Sequence, residues 1–148
     1  MLTRLFVGAA ALAFGTIVSA ASAYAQAEDI GKYEYHVSCA VCHGDNGKGD
    51  GSLMTYYNKH AADLTVLQKN NNGVFPFDRV YEVIDGRQAV RGHGPSDMPV
   101  WGDVYSLRMQ SYGFGFASSK DLESFTRGRI IALIGYIYTL QVPAGATK

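Results

Sequence analysis

The residues of this sequence with the clearest chemical potential lie in one five-residue segment. Two cysteines, Cys39 and Cys42, are separated by two residues, and His43 follows the second cysteine directly. Two thiols at this spacing can reach the two vinyl groups on one side of a haem, and thioether bonds then fix the macrocycle to the backbone. His43 would lie beneath the iron, where one ring nitrogen ligates and the other donates to a backbone carbonyl. The motif therefore predicts covalent attachment of one haem c with its iron.

Three other uses of the cysteine pair are alternatives to haem attachment. An exported chain often oxidises two cysteines to a disulfide, but the adjacent histidine would then be a coincidence. A thioredoxin-like redox pair needs a βαβ pattern, and residues 30–60 do not have one. A structural zinc site needs four ligands, and no second cysteine pair or His-x-x-x-His motif completes the set. Haem attachment is the interpretation that uses all three residues.

The first 25 residues have the three-part pattern of a secretory signal peptide. Arg4 supplies the positive charge, residues 5–18 are apolar, and residues 23–25 form a small-x-small cleavage site. The apolar run is shorter than the roughly 20 residues that span a bilayer. We expect residues 1–25 to be removed and residues 26–148 to form one monohaem domain in the periplasm, with no stable membrane insertion.

The charge balance does not indicate a polyanionic partner. The chain has 13 basic and 13 acidic residues, and loss of Arg4 with the signal peptide leaves 12 basic residues. So balanced a charge argues against nucleic acid or anionic lipid as a partner. A domain of this size has a modest apolar core, so a large apolar cofactor at its centre would add to its stability.

Apolar periodicity predicts an all-α domain. A first helix from about Ile30 to Cys39 would deliver the cysteines, and a second would run from Phe77 to Asp85 and end at Gly86. A last helix would begin at Lys120 or Asp121, end near Gln141 and bury six apolar residues. These are Leu122, Phe125, Ile130, Leu133, Ile134 and Ile137. Gly135 would let another helix approach closely.

Two faces and two loops complete this prediction. The first helix has Ile30, Tyr33 and Val37 on one face, and Gly31, Tyr35 and Cys39 on another. Residues 44–51 form a Gly-rich loop that matches neither a P-loop nor an EF-hand. We expect it to wrap a haem edge, where glycine permits close backbone approach and positive φ. Residues 86–102 contain four glycines and two prolines, which predicts an ordered loop around Met98-Pro99.

Over residues 30–142 these features resemble a class I, mitochondrial-type c-type cytochrome. The resemblance is carried by the helix into Cys39-x-x-Cys42-His43-Gly44, the Gly-rich loop, Met98-Pro99 and the aromatic last helix. It implies three to five helices around one haem, with His43 and Met98 as axial iron ligands. It also implies close crossing of the first and last helices through Gly31, Tyr35 and Tyr136.

Residues other than Met98 could also provide the sixth ligand of the iron. A thioether is a soft ligand suited to haem iron, which favours Met98 on chemical grounds as well. Methionine more often fills gaps in a core, however, and Met54 and Met109 are alternatives. His93, in the same loop as Met98, and His60 would give bis-histidine iron.

Polar groups near the proposed ligand loop are candidates for haem propionate contacts. Arg87, Arg91 and Trp101 can all donate hydrogen bonds to carboxylates. Surface solvation of the arginines and hydrophobic packing of Trp101 are the alternatives.

The sequence departs from the family in two places. Ser52-Leu53 stands where many members have a proline whose carbonyl accepts from the ligand histidine, so the acceptor is undetermined. An additional aromatic stretch, residues 103–116, is either a docking surface or a packed loop.

The resemblance implies a periplasmic electron carrier, not an enzyme, that cycles a six-coordinate His/Met haem between Fe(II) and Fe(III). Its partners would be redox proteins such as a dehydrogenase, a bc-type complex or a terminal oxidase. One alternative is the cytochrome subunit of a periplasmic dehydrogenase or respiratory complex. Another is a haem enzyme or gas binder with an open iron site.

Overall fold

A computed structural model describes the chain over residues 29–57, 60–87, 98–112 and 118–142. Within these ranges the regular structure is helical and contains no β-strand. The predicted all-α class is therefore confirmed for the described part of the chain. The proposed signal peptide, residues 1–25, lies outside it.

Helix α1 covers residues 29–43 and changes its hydrogen-bond pattern along its length. A π-helical turn occupies Tyr35–Cys39, and an α-helical turn follows at Ala40–His43. The helix ends at Gly44, whose φ of 77° glycine adopts without steric cost. Three 3₁₀ turns come after it, at Ser52–Tyr56, Leu64–Val66 and Lys69–Asn71.

Three helices follow these turns in the described part of the chain. Helix α2 is Phe77–Asp85, α3 is Trp101–Ser111 and α4 is Ser119–Thr139. Helices α2 and α3 pack against each other and against α4, which makes α4 the central element. In the described ranges, no helix combines the length and hydrophobicity needed to cross a membrane.

Local sequence signals explain where α2 ends and where α4 begins. Helix α2 ends at Gly86, whose φ of 66° is the left-handed conformation common at helix C-termini, and this confirms the predicted boundary. Helix α4 begins with a capping box. The Ser118 hydroxyl accepts from the backbone N–H of Asp121, and the Asp121 carboxylate accepts from the backbone N–H of Ser118.

The core lies where α1, α3 and α4 meet. Of the residues predicted to be buried on the last helix, four are buried and two, Leu122 and Phe125, are half-buried. The four buried ones are Ile130, Leu133, Ile134 and Ile137. On α1 the buried face is the one that contains Tyr35 and Cys39. This packing holds the cysteine segment against α4.

Close approach between α1 and α4 depends on Gly31, not on Gly135. A Cβ at position 31 would collide with the backbone carbonyl of Ala132 and lie 3.1 Å from Cβ of Tyr136. Gly135, by contrast, is exposed, and a Cβ there would meet nothing within 4 Å. The predicted close helix approach at Gly135 is therefore wrong.

Helix α3 is the largest departure from the predicted secondary structure. We expected loop structure through residues 86–102 and no regular element within residues 103–116, but the chain is helical over Trp101–Ser111. Residues 88–97 and 113–117 lie outside the described part of the chain. The buried side of α3 includes Tyr105, which is fully inaccessible to solvent.

Candidate functional site

The end of α1 positions the cysteine segment. Cys39 is the last residue of the π-helical turn, and Cys42 and His43 lie in the α-helical turn that follows. The two thiols are not joined; Cys39 is buried, and Cys42 is partly accessible. The Tyr35 hydroxyl donates to the carbonyl of Gly44 at 2.6 Å, which ties the middle of the helix to its end.

His43 has one ring nitrogen committed to the backbone. Its Nδ1 lies 2.9 Å from the carbonyl oxygen of Ala62. A carbonyl can only accept, so Nδ1 carries the proton and Nε2 is the nitrogen with a free lone pair. This is the tautomer that a ligating histidine needs. The sequence predicted such a bond without identifying its acceptor, which is Ala62, 19 residues away in the chain.

The Gly-rich loop brings the Ala62 segment to His43. The backbone N–H of Gly49 donates to the carbonyl of His43 at 2.8 Å, and a Cβ on Gly49 would collide with the carbonyl of Ala61. Gly49 also has a φ of 81°, so both the space and the conformation at this position require glycine. The predicted positive φ is found at Gly44, Gly47 and Gly49. The close approach at Gly49 is to Ala61, and wrapping of the loop around a haem edge stays a prediction.

A cavity of about 350 Å³ opens beside these residues. Both cysteines and His43 line it, as do Met98 and Trp101. The fold therefore brings the Cys39–His43 segment and Met98, more than 50 positions apart in the chain, to the same cavity. Much of the remaining wall is apolar. Its apolar residues are Leu53, Ala61, Ala62, Val83 and Pro99.

The alternative sixth ligands are also located. Met54 and His60 line the same cavity as Met98, whereas Met109 lies on α3 and is not among the residues that line it. His93 lies outside the described residues. The assignment of Met98 as the ligand therefore stays a prediction, with Met54 and His60 as its nearest competitors.

The proposed propionate contacts differ from one another. Trp101 begins α3 and lines the cavity. Arg87 instead donates to Asp85 at 2.6 Å and to the two carboxylate oxygens of Glu123 at 2.8 and 3.3 Å, and it is not among the cavity-lining residues. Arg91 lies outside the described part of the chain. Of the three predicted contacts, Trp101 is the one found beside the cavity.

Burial controls the chemistry of Cys39. Desolvation, with a smaller contribution from the Glu34 carboxylate, raises the pKa of the Cys39 thiol to about 12. An unattached Cys39 would therefore be a thiol at neutral pH and a poor nucleophile.

Glu34 is a residue that sequence reasoning missed. It is 1% exposed, and its carboxylate forms ion pairs with Arg108 and Arg129 at 2.9 Å each. The available signal was its spacing, because Glu34 is three residues after Gly31, and residues three apart lie on the same side of a helix.

Comparisons of this chain with profiles of known protein families, with curated proteins and with solved structures find no match. The functional interpretation therefore depends on the residues and geometry described above.

Proposed function

We propose that this chain is a c-type cytochrome that carries single electrons. One haem would be attached through thioethers to Cys39 and Cys42, with His43 and Met98 as the two axial ligands of its iron. The observation that carries the proposal is that all four residues line one cavity, while Nδ1 of His43 is held by the carbonyl of Ala62. When bound, haem supplies one-electron chemistry between Fe(II) and Fe(III).

The lining of the cavity suits such a group. Pockets for small molecules and cofactors span about 300–1,000 Å³ and are mostly apolar with a few polar groups, and the volume of about 350 Å³ falls in this range. Its lining offers two thiols, two imidazoles and two thioethers, of which the proposal uses both thiols, the imidazole of His43 and the thioether of Met98. Soft sulfur and imidazole donors suit iron in a haem.

The chain would contribute orientation and exclusion of water. The Ala62 carbonyl fixes the ring of His43, and the π-helical turn with its buried Cys39 sets the position of the first attachment point. Apolar walls keep the environment of the cofactor poor in water, which favours the less charged iron state. The indole N–H of Trp101 is a donor at the cavity for a propionate.

A class I cytochrome fold and export to the periplasm are parts of the same proposal. The close approach of α1 to α4 at Gly31 and the Tyr35–Tyr136 ring contact, 5.1 Å between centroids, support the fold. The signal-peptide pattern in residues 1–25 supports export. Redox partners would be a periplasmic dehydrogenase, a bc-type complex or a terminal oxidase.

Optical spectroscopy of the purified protein tests the axial ligands. Spectra of both oxidation states, with and without carbon monoxide, are compared for wild type and Met98→Ala. Wild type should be six-coordinate and resist carbon monoxide, whereas Met98→Ala should bind it. Met54→Ala and His60→Ala are matched controls at the same cavity and should behave as wild type.

The outcomes separate the competing assignments. If Met98→Ala keeps the wild-type spectrum, Met98 is not the ligand; a change in His60→Ala would then favour bis-histidine iron. Ready binding of carbon monoxide by wild type would favour an open site and a gas-binding or catalytic role. Absence of covalently bound haem, assayed by acid–acetone extraction, would overturn the whole proposal.

Exposed apolar residues on α1 favour a second candidate, a cytochrome subunit of a stable periplasmic complex. Ile30, Tyr33, Val37 and Val41 are 41–61% exposed and recur at helical spacing. Exposed apolar surface of this kind is typical of protein interfaces. Co-purification of a stoichiometric partner that survives high salt would favour the subunit over a free carrier.

A further inference from the structure

Three helices are joined by a buried ion-pair cluster that the electron-transfer site does not itself require. Oε2 of Glu34 in α1 lies 2.9 Å from Nη1 of Arg108 in α3, and Oε1 lies 2.9 Å from Nη1 of Arg129 in α4. The Glu34 side chain is 2% exposed, and those of Arg108 and Arg129 are 29% and 28% exposed. We call these three residues the Glu34 cluster.

Contacts connect the Glu34 cluster to the cavity. The guanidinium carbon of Arg108 lies 5.5 Å from the ring centroid of Tyr105, and that ring lies 6.1 Å from the ring of Trp101. Trp101 and Cys39 both line the cavity, and Glu34 precedes Cys39 by five residues on α1.

The charge of the Glu34 cluster is not balanced. One carboxylate and two guanidinium groups sum to a formal charge of +1, since arginine stays protonated in proteins. Charges this far from solvent are screened by salt much less than surface charges. Buried ion pairs contribute little to stability compared with apolar packing, so stability alone does not account for three charged groups here.

We propose that the Glu34 cluster is a fixed positive charge that raises the reduction potential of the haem in the adjacent cavity. This inference rests on the proposed electron-transfer function. The physical reason is that a nearby net positive charge stabilises Fe(II), which carries one positive charge fewer than Fe(III). The three side chains are positioning and tuning residues, because none of them is among the residues that line the cavity.

Charge-changing and charge-conserving variants of the holo-protein test the inference. Arg129→Gln brings the cluster to a net charge of zero and leaves Glu34 paired with Arg108, so it should lower the Fe(II)/Fe(III) ratio at a fixed ambient potential. We expect a change of roughly three- to tenfold, the size expected for one unit charge in a partly polar interior. Arg129→Lys keeps the charge and should restore the wild-type ratio. Arg108→Gln and Arg108→Lys repeat the comparison from α3.

Two further variants complete the design. Glu34→Gln raises the net charge of the cluster to +2 and should shift the ratio toward Fe(II), opposite to the arginine variants. Arg127→Gln is the matched control on α4, because it removes one positive charge from a side chain that is 64% exposed, and it should leave the ratio nearly unchanged. A simple loss of packing would not shift the Fe(II)/Fe(III) ratio in opposite directions when a positive or a negative charge is removed.

The possible outcomes distinguish failure of this inference from failure of the proposed function. If the protein holds no covalent haem, both are overturned. If haem is present and the couple is reversible, but the glutamine and lysine variants at position 129 shift the ratio alike, the cluster is structural and only the inference is overturned. The same conclusion follows if Arg127→Gln shifts the ratio as much as Arg129→Gln. Should Glu34→Gln fail to fold, the two arginine pairs still decide the question.

Discussion

Gly31 of α1 lies directly against the backbone carbonyl of Ala132 in α4, with no room for a side chain between them. Because Ala132 contributes backbone at this point, no rotamer change can relieve a collision. The contact therefore sets how closely the cysteine-bearing helix packs on the central helix.

Gly31→Ala should destabilise the protein by about 1–3 kcal/mol, the usual cost of adding a methyl group to a well-packed site. The measurement is the free energy of unfolding from urea denaturation of the holo-protein. Gly135→Ala is the matched control on α4, where a Cβ meets nothing within 4 Å. Since alanine is the better helix former, that variant should be stabilised by up to about 1 kcal/mol. Equal effects at the two positions would contradict the role assigned to Gly31.

These two glycines also illustrate what the sequence could and could not predict. The boundaries of α2 and the buried stripe of α4 depend on local signals, namely Gly86 and apolar periodicity. The boundaries of α2 were predicted correctly, and four of the six residues predicted for the stripe are buried. Which glycine meets a neighbouring helix depends on how two distant segments dock. Nothing within α4 distinguishes Gly135 from a residue at an interface.

Helix α3 was missed for a related physical reason. Its buried positions include Gly102 and Tyr105, its half-buried ones include Ser106 and Arg108, and Leu107 is exposed. Such a helix has no clear apolar stripe, so periodicity does not reveal it. Two of its polar side chains have tertiary partners: the Ser106 and Thr126 hydroxyls lie 3.0 Å apart, and Arg108 donates to Glu34 at 2.9 Å.

The candidate site also combines features that the sequence predicts with contacts that it does not. Cys39, Cys42 and His43 are adjacent in the chain, so their spacing alone indicates their chemistry. The acceptor for His43 and the charged partners of Glu34 come from segments far away in the chain, and neither local composition nor periodicity contains that information. Those contacts follow only from the packed fold.

The ion pair between Arg87 and Glu123 predicts acid sensitivity. Hydrogen bonding to Arg87 lowers the pKa of the Glu123 carboxyl below its ordinary value. The folded state therefore binds fewer protons there than the unfolded state, so the contribution is present at neutral pH and is lost as pH falls below about 4. Since the Glu123 side chain is 46% exposed, we expect no more than about 1 kcal/mol.

The check compares wild type with Arg87→Gln by urea denaturation at pH 7 and pH 3. The variant should be less stable at pH 7, and the difference should shrink toward pH 3, because protonation of Glu123 removes the charge that Arg87 pairs with. Lys120→Gln, an exposed change near the start of the same helix, is the control. A difference that is independent of pH would mean that Arg87 stabilises the fold by other contacts.

Trp101→Phe should shift the midpoint potential of the holo-protein. Phenylalanine keeps an aromatic side chain at the cavity wall but removes the indole N–H, the donor assigned to a propionate. The measurement is a spectroelectrochemical titration, with Tyr112→Phe, an exposed aromatic change at the end of α3, as the control. An unchanged potential in Trp101→Phe would contradict the proposed contact between Trp101 and a propionate.

Tyr35→Phe tests how α1 is held at its end. Burial raises the pKa of the Tyr35 phenol well above its usual range, so the hydroxyl stays protonated and donates to the carbonyl of Gly44 at 2.6 Å. Phenylalanine keeps the ring packed on Tyr136 and removes only that hydrogen bond. The Gly44 carbonyl still accepts from the backbone N–H of Gly47 at 3.1 Å, so the loss should be about 1 kcal/mol, near the typical value for one bond.

The free energy of unfolding of Tyr35→Phe is to be compared with that of Tyr56→Phe, a matched change at a side chain that is 85% exposed. The control should unfold like wild type. Because the bond between His43 and Ala62 does not involve Tyr35, the optical spectrum of Tyr35→Phe should be unchanged even though its stability falls. A changed spectrum would instead indicate that the Tyr35 hydroxyl positions the ligand histidine through Gly44, and the bond would then belong to the site as well as to the fold.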